Sequence, residues 1–279
     1  MADLLDPKND YVFKRLFADD PVLLCSLINA VRRDAPPVHA LTVSNPAIAA
    51  EELHGKYIIL DLLAEDADGK RYNIEMQVRR YRAVSARSLY YLARIISGQL
   101  VVGDAYDTLK SVIGIHFLDF DLFQDAPHSH QAEWCFAMRD AKTPGVCLGQ
   151  ELQLYVVELR KAARIQTNNG HLAAWIALFQ HWQEDNVMSQ ITDDPVRSAY
   201  EKLKALSADP DTRWLAFQRE RALLEEQTLL SEAREEGRAE TQRETAERML
   251  RLTQMDDATI AALSGLDQAD VTALRQAAR

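Results

Sequence analysis

Only three cysteines, Cys25, Cys135 and Cys147, occur in the 279 residues. They are too few and too scattered for a disulfide framework or a zinc cage. Each reads as a small buried hydrophobe, and a reducing, cytoplasmic setting is expected. Long apolar runs are also lacking. Nothing approaches the ~18 consecutive apolar residues that a spanning helix needs, so no membrane partner is expected. The start of the chain, MADLLDPKND, has no basic region followed by an apolar one, so a secretory signal is not expected. Net positive charge is missing too: 32 Lys+Arg against 42 Asp+Glu leave -10, which excludes a surface coated in nucleic-acid contacts. The deficit is uneven. Residues 1–110 carry 14 basic and 15 acidic side chains, whereas residues 111–279 carry 18 and 27. A polyanion would be met by the amino-terminal half.

A hydrophobic content of 47% and a mean hydropathy of -0.26 supply enough apolar material for a sizeable core. Asn9 can cap a helix through DYVFKRLFA, in which Val12, Phe13, Leu16 and Phe17 share one face. PVLLCSLINAVRR predicts a second helix that stops before Pro36-Pro37, and VHALTVSNP a short strand. KYIILDLLAED and KRYNIEMQV predict two strands joined through Asp66-Ala67-Asp68-Gly69. VSARSLYYLARIISGQLV predicts an amphipathic helix with a core stripe of Leu89, Leu92, Ile96 and Leu100. LKSVIGIHFLDF is apolar on both faces, as in an interior strand, and AEWCFAMRD and ELQLYVVEL predict two more strands. This is an α/β pattern, a mixed β-sheet flanked by helices. From about Asn168 the pattern is all-helical, and its longest piece runs from Arg213 to about Thr253.

The hairpin Leu60–Gln77 carries acids on both arms, and loop length decides whether they meet. A two-residue loop would put Asp61 and Glu75 on opposite faces, because a one-residue slip inverts every side chain. A three-residue loop, Ala67-Asp68-Gly69, is a type I turn followed by a bulge with glycine at the left-handed position. It pairs Asp66 with Lys70 and therefore sets Asp61 opposite Glu75. Carbons Cβ of opposed residues lie ~4.5–5.5 Å apart. Two carboxylates there repel unless a cation sits between them, and a divalent metal is the natural occupant. Gln77 shares the face of Glu75, and its amide can orient a water or a phosphate. The solvated reading of these acids is opposed by Tyr57, Ile58, Ile59, Leu60, Leu62 and Leu63, which predict an arm buried on both faces.

Acid, hairpin, then Glu-x-Gln resembles the signature of the PD-(D/E)xK phosphodiesterase superfamily. More closely, LLDPKNDYVFKRLFA, ILDLLAEDADGKRYNIEMQ, SLYYLARIISGQLVVGDAY, LKSVIGIHFLDFDLF, YVVELRK and the Glu-rich tail with ALSGL resemble the recombination-promoting nuclease/transposase family. The resemblance implies a restriction-endonuclease-like core followed by an all-helical C-terminal region. It implies a nuclease core at 1–165, a helical region with a long charged helix at 166–253 and a short helical hairpin at 254–279. It also implies metal-dependent hydrolysis of DNA phosphodiesters, linked to recombination or DNA mobility. Asp61, Glu75 and the main-chain carbonyl of Met76 would hold Mg²⁺, with Mn²⁺ able to substitute. Gln77 falls where the superfamily usually has lysine, which removes a cation from the developing charge. A catalytically silent DNA- or protein-binding module that keeps the fold is therefore the alternative.

Further residues fit either reading. Asp10 is a candidate additional metal ligand, or an acid that complements a helix dipole. Arg80, Arg87 and Arg94 recur every seven residues, within about 40° on a helix, and Arg79 and Arg82 add charge near Gln77. They form a candidate DNA track or a solvated face. His128 and His130 read as a surface loop. The section SEAREEGRAETQRETAERML predicts a solvated, ion-paired helix, or an arm through which a homodimer forms, although sustained apolar heptads are missing. The terminal hairpin has four Asp and one Arg between Asp256 and Ala278, a poor match to phosphate.

Overall fold

The computed structural model describes residues 4–44, 62–81, 83–167 and 169–277. The chain divides into two compact units, Met1–Arg219 and Glu220–Arg279.

The first unit opens with helix α1 (Asp10–Phe17), whose cap Asn9 accepts hydrogen bonds from the Tyr11 and Val12 amides, and whose buried face is Val12, Phe13, Leu16 and Phe17. Helix α2 (Pro21–Val31) starts with Pro21 behind the Asp20 cap. The strands follow the predicted order: β2 (Leu62–Asp66), β3 (Arg71–Gln77), β4 (Val112–Leu118), β5 (Glu133–Ala137) and β6 (Leu152–Glu158) come after the short strand expected in VHALTVSNP. With β1 (Leu41–Ser44) they make a mixed sheet in the order β1-β2-β3-β4-β6-β5. β3, β4 and β6 are parallel, and the remaining pairs are antiparallel.

The turn between β2 and β3 is the three-residue form. Gly69 has φ +80°, the Asp66 amide donates to the Lys70 carbonyl at 3.0 Å, and the Asp66 carboxylate accepts from the Asp68 and Lys70 amides. Leu62 accordingly pairs with Ile74, Leu63 with Asn73 and Glu65 with Arg71. That register separates two faces. Leu62, Tyr72, Ile74, Met76, Ile115 and Phe117 turn toward one core with Phe13, Phe17, Trp175 and Phe179. Leu63, Val112, Leu152 and Leu154 turn toward helix α3 (Val84–Ser97).

Two expectations need correction. The inner side of α3 is Val84, Ser88, Tyr91, Leu92 and Ile95. Leu89 is 54% exposed and lines a cavity of about 380 Å³ with Phe136, Met138 and Leu154. The rotation has a local cause in β4. Gly114 leaves a hollow that Leu92 fills from above: a Cβ there would lie 3.1 Å from both Leu92 methyls and 2.9 Å from a Leu154 methyl. Of the cysteines, only Cys25 is buried; Cys135 is exposed and Cys147 half-buried, and all three are free.

Helices α4 (Leu159–Ile165), α5 (Gly170–His181), α6 (Asp185–Met188) and α7 (Asp194–Ala208) complete this unit together with the first turns of α8 (Pro210–Leu252). The helix α8 begins three residues earlier than predicted because Asp209 accepts from the Thr212 amide and hydroxyl, next to a proline suited to a first turn. In the second unit, α8 carries the i,i+4 pairs Arg221–Glu225 and Arg243–Glu247. Helix α9 (Asp257–Ser264), capped by Asp256 and ended at Gly265, and helix α10 (Gln268–Ala277) share with it a small core of Ala246, Ile260 and Val271. Arg275 is occupied by Asp257, as befits a packing hairpin. Among the described residues no helix is long and apolar enough to cross a membrane.

The fit of Leu92 over Gly114 sets how α3 lies on β3 and β4. Gly114→Val is expected to overpack that layer and cost about 1–3 kcal/mol, read as a lowered midpoint in urea unfolding. An unchanged midpoint would show that α3 is seated by other contacts.

Candidate functional site

Alternation along β3 turns Asn73, Glu75 and Gln77 to the α3 face. Glu75 is 3% exposed. Asn73 Nδ2 donates to Glu75 Oε1 at 3.1 Å, and Gln77 Nε2 donates to Oε2 at 2.9 Å. Because both amide nitrogens are spent on the carboxylate, both amide oxygens point elsewhere. Asn73 Oδ1 and Gln77 Oε1 are buried and accept no hydrogen bond from the described residues, a costly condition for a polar group.

His116 of β4 stands beside Glu75 in the parallel register and is 1% exposed. Its Nδ1 lies 3.1 Å from Ser88 Oγ. The Ser88 hydroxyl donates its single hydrogen to the Val84 carbonyl at 2.9 Å, so it can only accept from the ring. The proton therefore sits on Nδ1, and Nε2 is a bare lone pair, buried and without a partner. Burial pushes the His116 pKa down; Glu75 opposes that shift and Arg87 adds to it. Burial likewise pushes the Tyr91 phenol up, with Arg87 pulling it down and Glu75 raising it further. Both groups thus lie within the fields of Glu75 and Arg87.

Among the described residues no group of three His, Cys, Asp or Glu side chains is placed to hold a metal ion. The donor set on β3 is nevertheless of the right kind. The Glu75 carboxylate is a hard oxygen ligand, which suits Mg²⁺ or Mn²⁺, and the amide oxygens of its two neighbours are left open.

The sequence-predicted residues are distributed as follows. Glu75 and Gln77 come together, with Met76 between them facing the other core. Asp61 and Arg82 lie outside the described residues. Asp10 is engaged by Arg219 at the start of α1. Arg80 precedes α3 and donates to the Leu122 carbonyl at 3.3 Å. Arg79 is half-buried and Arg94 exposed. Arg87 is half-buried, its guanidinium 5.2 Å from the Tyr91 ring centroid and 5.7 Å from that of Tyr81. Asn73, Ser88, Tyr91 and His116 were missed. Asn73 was visible as the first member of an Asn-x-Glu-x-Gln alternation, and His116 as the one ionisable side chain in VIGIHFL.

A mixed sheet flanked by helices, with an acid and its polar neighbours on the strand of a hairpin, is the frame of a restriction-endonuclease-like fold. The family model for the PD-(D/E)XK nuclease family transposase matches residues 7–233. The chain belongs to this family. No curated protein and no solved structure matches it. For this PD-(D/E)XK chain, membership supports a nuclease- or transposase-like hydrolase acting on DNA, in a family whose members generally use divalent metal ions.

A buried neutral His116 has a pH signature. Its stability contribution is full above about pH 6.5, where the unfolded chain is also neutral. It is lost as pH falls toward the lowered folded-state value, because the unfolded chain takes up the proton first. Urea unfolding between pH 7.5 and 5 should therefore show a shallower pH dependence in His116→Asn than in the wild type. Parallel curves would mean that His116 takes up its proton equally in the folded and unfolded chains.

Proposed function

We propose that the Glu75 face is the centre of a metal-dependent DNA endonuclease that hydrolyses phosphodiester bonds in recombination or DNA mobility. Asp61 and Glu75 are its acidic ligands, together with the Met76 carbonyl; Mg²⁺ is the ion, and Mn²⁺ substitutes. The observation that carries this reading is the buried carboxylate flanked by two buried, unpartnered amide oxygens. The described hairpin pairs, Glu65–Arg71 to Leu62–Ile74, follow the three-residue-turn register on which the role of Asp61 was inferred from the sequence. A divalent ion supplies Lewis acidity toward the phosphate and an acidified water. Asn73 and Gln77 fix the rotamer of Glu75, and His116 Nε2 offers an acceptor beside it.

A second reading, a catalytically silent DNA- or protein-binding module, is favoured by one observation. The Gln77 amide that replaces the usual lysine is spent on Glu75 and brings no charge. Supercoiled plasmid with Mg²⁺ or Mn²⁺ separates the two. Wild-type protein should convert it to nicked or linear forms. Changes around a metal already cost 10–100-fold, so loss of a ligand in Asp61→Ala or Glu75→Gln should cost at least about 100-fold. Equal nicking by all three proteins would sink the assigned site; binding without cleavage by any would establish the silent module.

A further inference from the structure

We propose that Arg87 of α3 is the cation of the Glu75 centre, the residue that takes the scissile phosphate in place of a charge at position 77. This rests on the nuclease reading above and deepens it.

Beside Glu75, β3 carries no positive charge. Gln77 is neutral, and its amide nitrogen donates to Glu75. Arg87 enters from the helix that covers the same face. Its neighbour in sequence, Ser88, binds His116, which in turn is the register partner of Glu75. Tyr91, one turn further along α3, feels both Glu75 and Arg87, as does His116. The geometry agrees: Arg87 lies 5.2 Å from the Tyr91 ring centroid on the helix whose Ser88 contacts the register partner of Glu75.

Arg87 is also poised rather than consumed. Its guanidinium lies within cation–π distance of the Tyr81 and Tyr91 rings. Its Nε is buried and donates to nothing, and among the described residues no carboxylate forms an ion pair with it. A half-buried guanidinium with donors to spare, held near an acidic centre without neutralising it, suits a planar bidentate anion such as a phosphodiester. Arg80 and Arg94 differ: one donates to a carbonyl ahead of the helix and the other is exposed.

The full-length chain and three variants test this: Arg87→Gln, Arg87→Lys and Arg87→Gln combined with Gln77→Lys. Plasmid cleavage with Mg²⁺ is measured first. Arg87→Gln should lower kcat about 100- to 1,000-fold, the loss typical of a donor to developing charge, with KM changed far less. Lysine at position 87 or at position 77 should restore at least a tenth of the lost rate. A loss confined to KM, or no loss, would overturn the proposal, and so would a loss that neither lysine restores. Binding of a short DNA duplex is measured second, with Ca²⁺ and with EDTA, over a salt series. Arg87→Gln should reduce the salt slope by about one in Ca²⁺ and leave it unchanged in EDTA, where no metal draws a phosphate to Glu75. The same change in both conditions would make Arg87 part of a general DNA track and overturn its assignment to the centre. If the wild type binds with this Ca²⁺-specific dependence but never cuts, the Arg87 assignment stands and the nuclease reading falls. If the wild type cuts and Arg87→Gln changes neither readout, the nuclease reading stands and the Arg87 assignment falls.

Discussion

A carboxylate at 3% exposure on a strand whose other face fills the apolar core must be compensated, and the compensation organises this face of the sheet. Glu75 receives two amide donors from its own strand, Asn73 and Gln77, at 3.1 and 2.9 Å. Those bonds depend on all three side chains sharing a face. Strand alternation meets that condition, and the residues that oppose them across the hairpin are set by the register that Gly69 in the left-handed region and the Asp66 side chain fix at the turn. A slip of one residue would send Glu75 into the Phe13–Phe179 core and Met76 toward α3. Turn chemistry at one end of the hairpin thus controls acid placement at the other.

A second buried acid gives the comparison that separates structure from function. Glu158, fully buried at the end of β6, accepts from the Leu122 and Phe123 amides, Trp134 Nε1 and Lys161 Nζ. Every lone pair has a use, and the network simply fastens the loop after β4 to the sheet. Around Glu75 the accounting stays open. Asn73 Oδ1, Gln77 Oε1, His116 Nε2 and Arg87 Nε are all buried and unused. Four of the nine buried side-chain polar atoms without a partner among the described residues thus lie on this face of the sheet and its covering helix, a pattern that suits a site built for something that binds.

Much of this frame was legible in the residues. Asn9 marked the start of α1, and the glycine position in Ala67-Asp68-Gly69 selected the hairpin register. Both are local signals in which side-chain chemistry decides backbone conformation. The facing of α3 was not legible by the same means. Its apolar positions allowed a stripe through Leu89, but the hollow at Gly114 and the hydrogen bond between Ser88 and His116 turned another side inward. These partners lie more than twenty residues away in sequence, beyond any periodicity argument. Arg87 moved with that rotation, from an exposed seven-residue track to a half-buried place over Tyr91. His116 was hidden by its company, one ionisable group in a strand buried along its whole length.

The central claim is that the open oxygen set on β3 holds a divalent ion at Glu75. Crystals of the wild-type chain soaked in Mn²⁺ and measured at the manganese edge test it most directly. The account predicts an anomalous peak about 2.0–2.2 Å from a Glu75 carboxylate oxygen, with Asp61 as a second ligand. Ordered manganese bound elsewhere, with no peak at Glu75 in a saturated crystal, would contradict it.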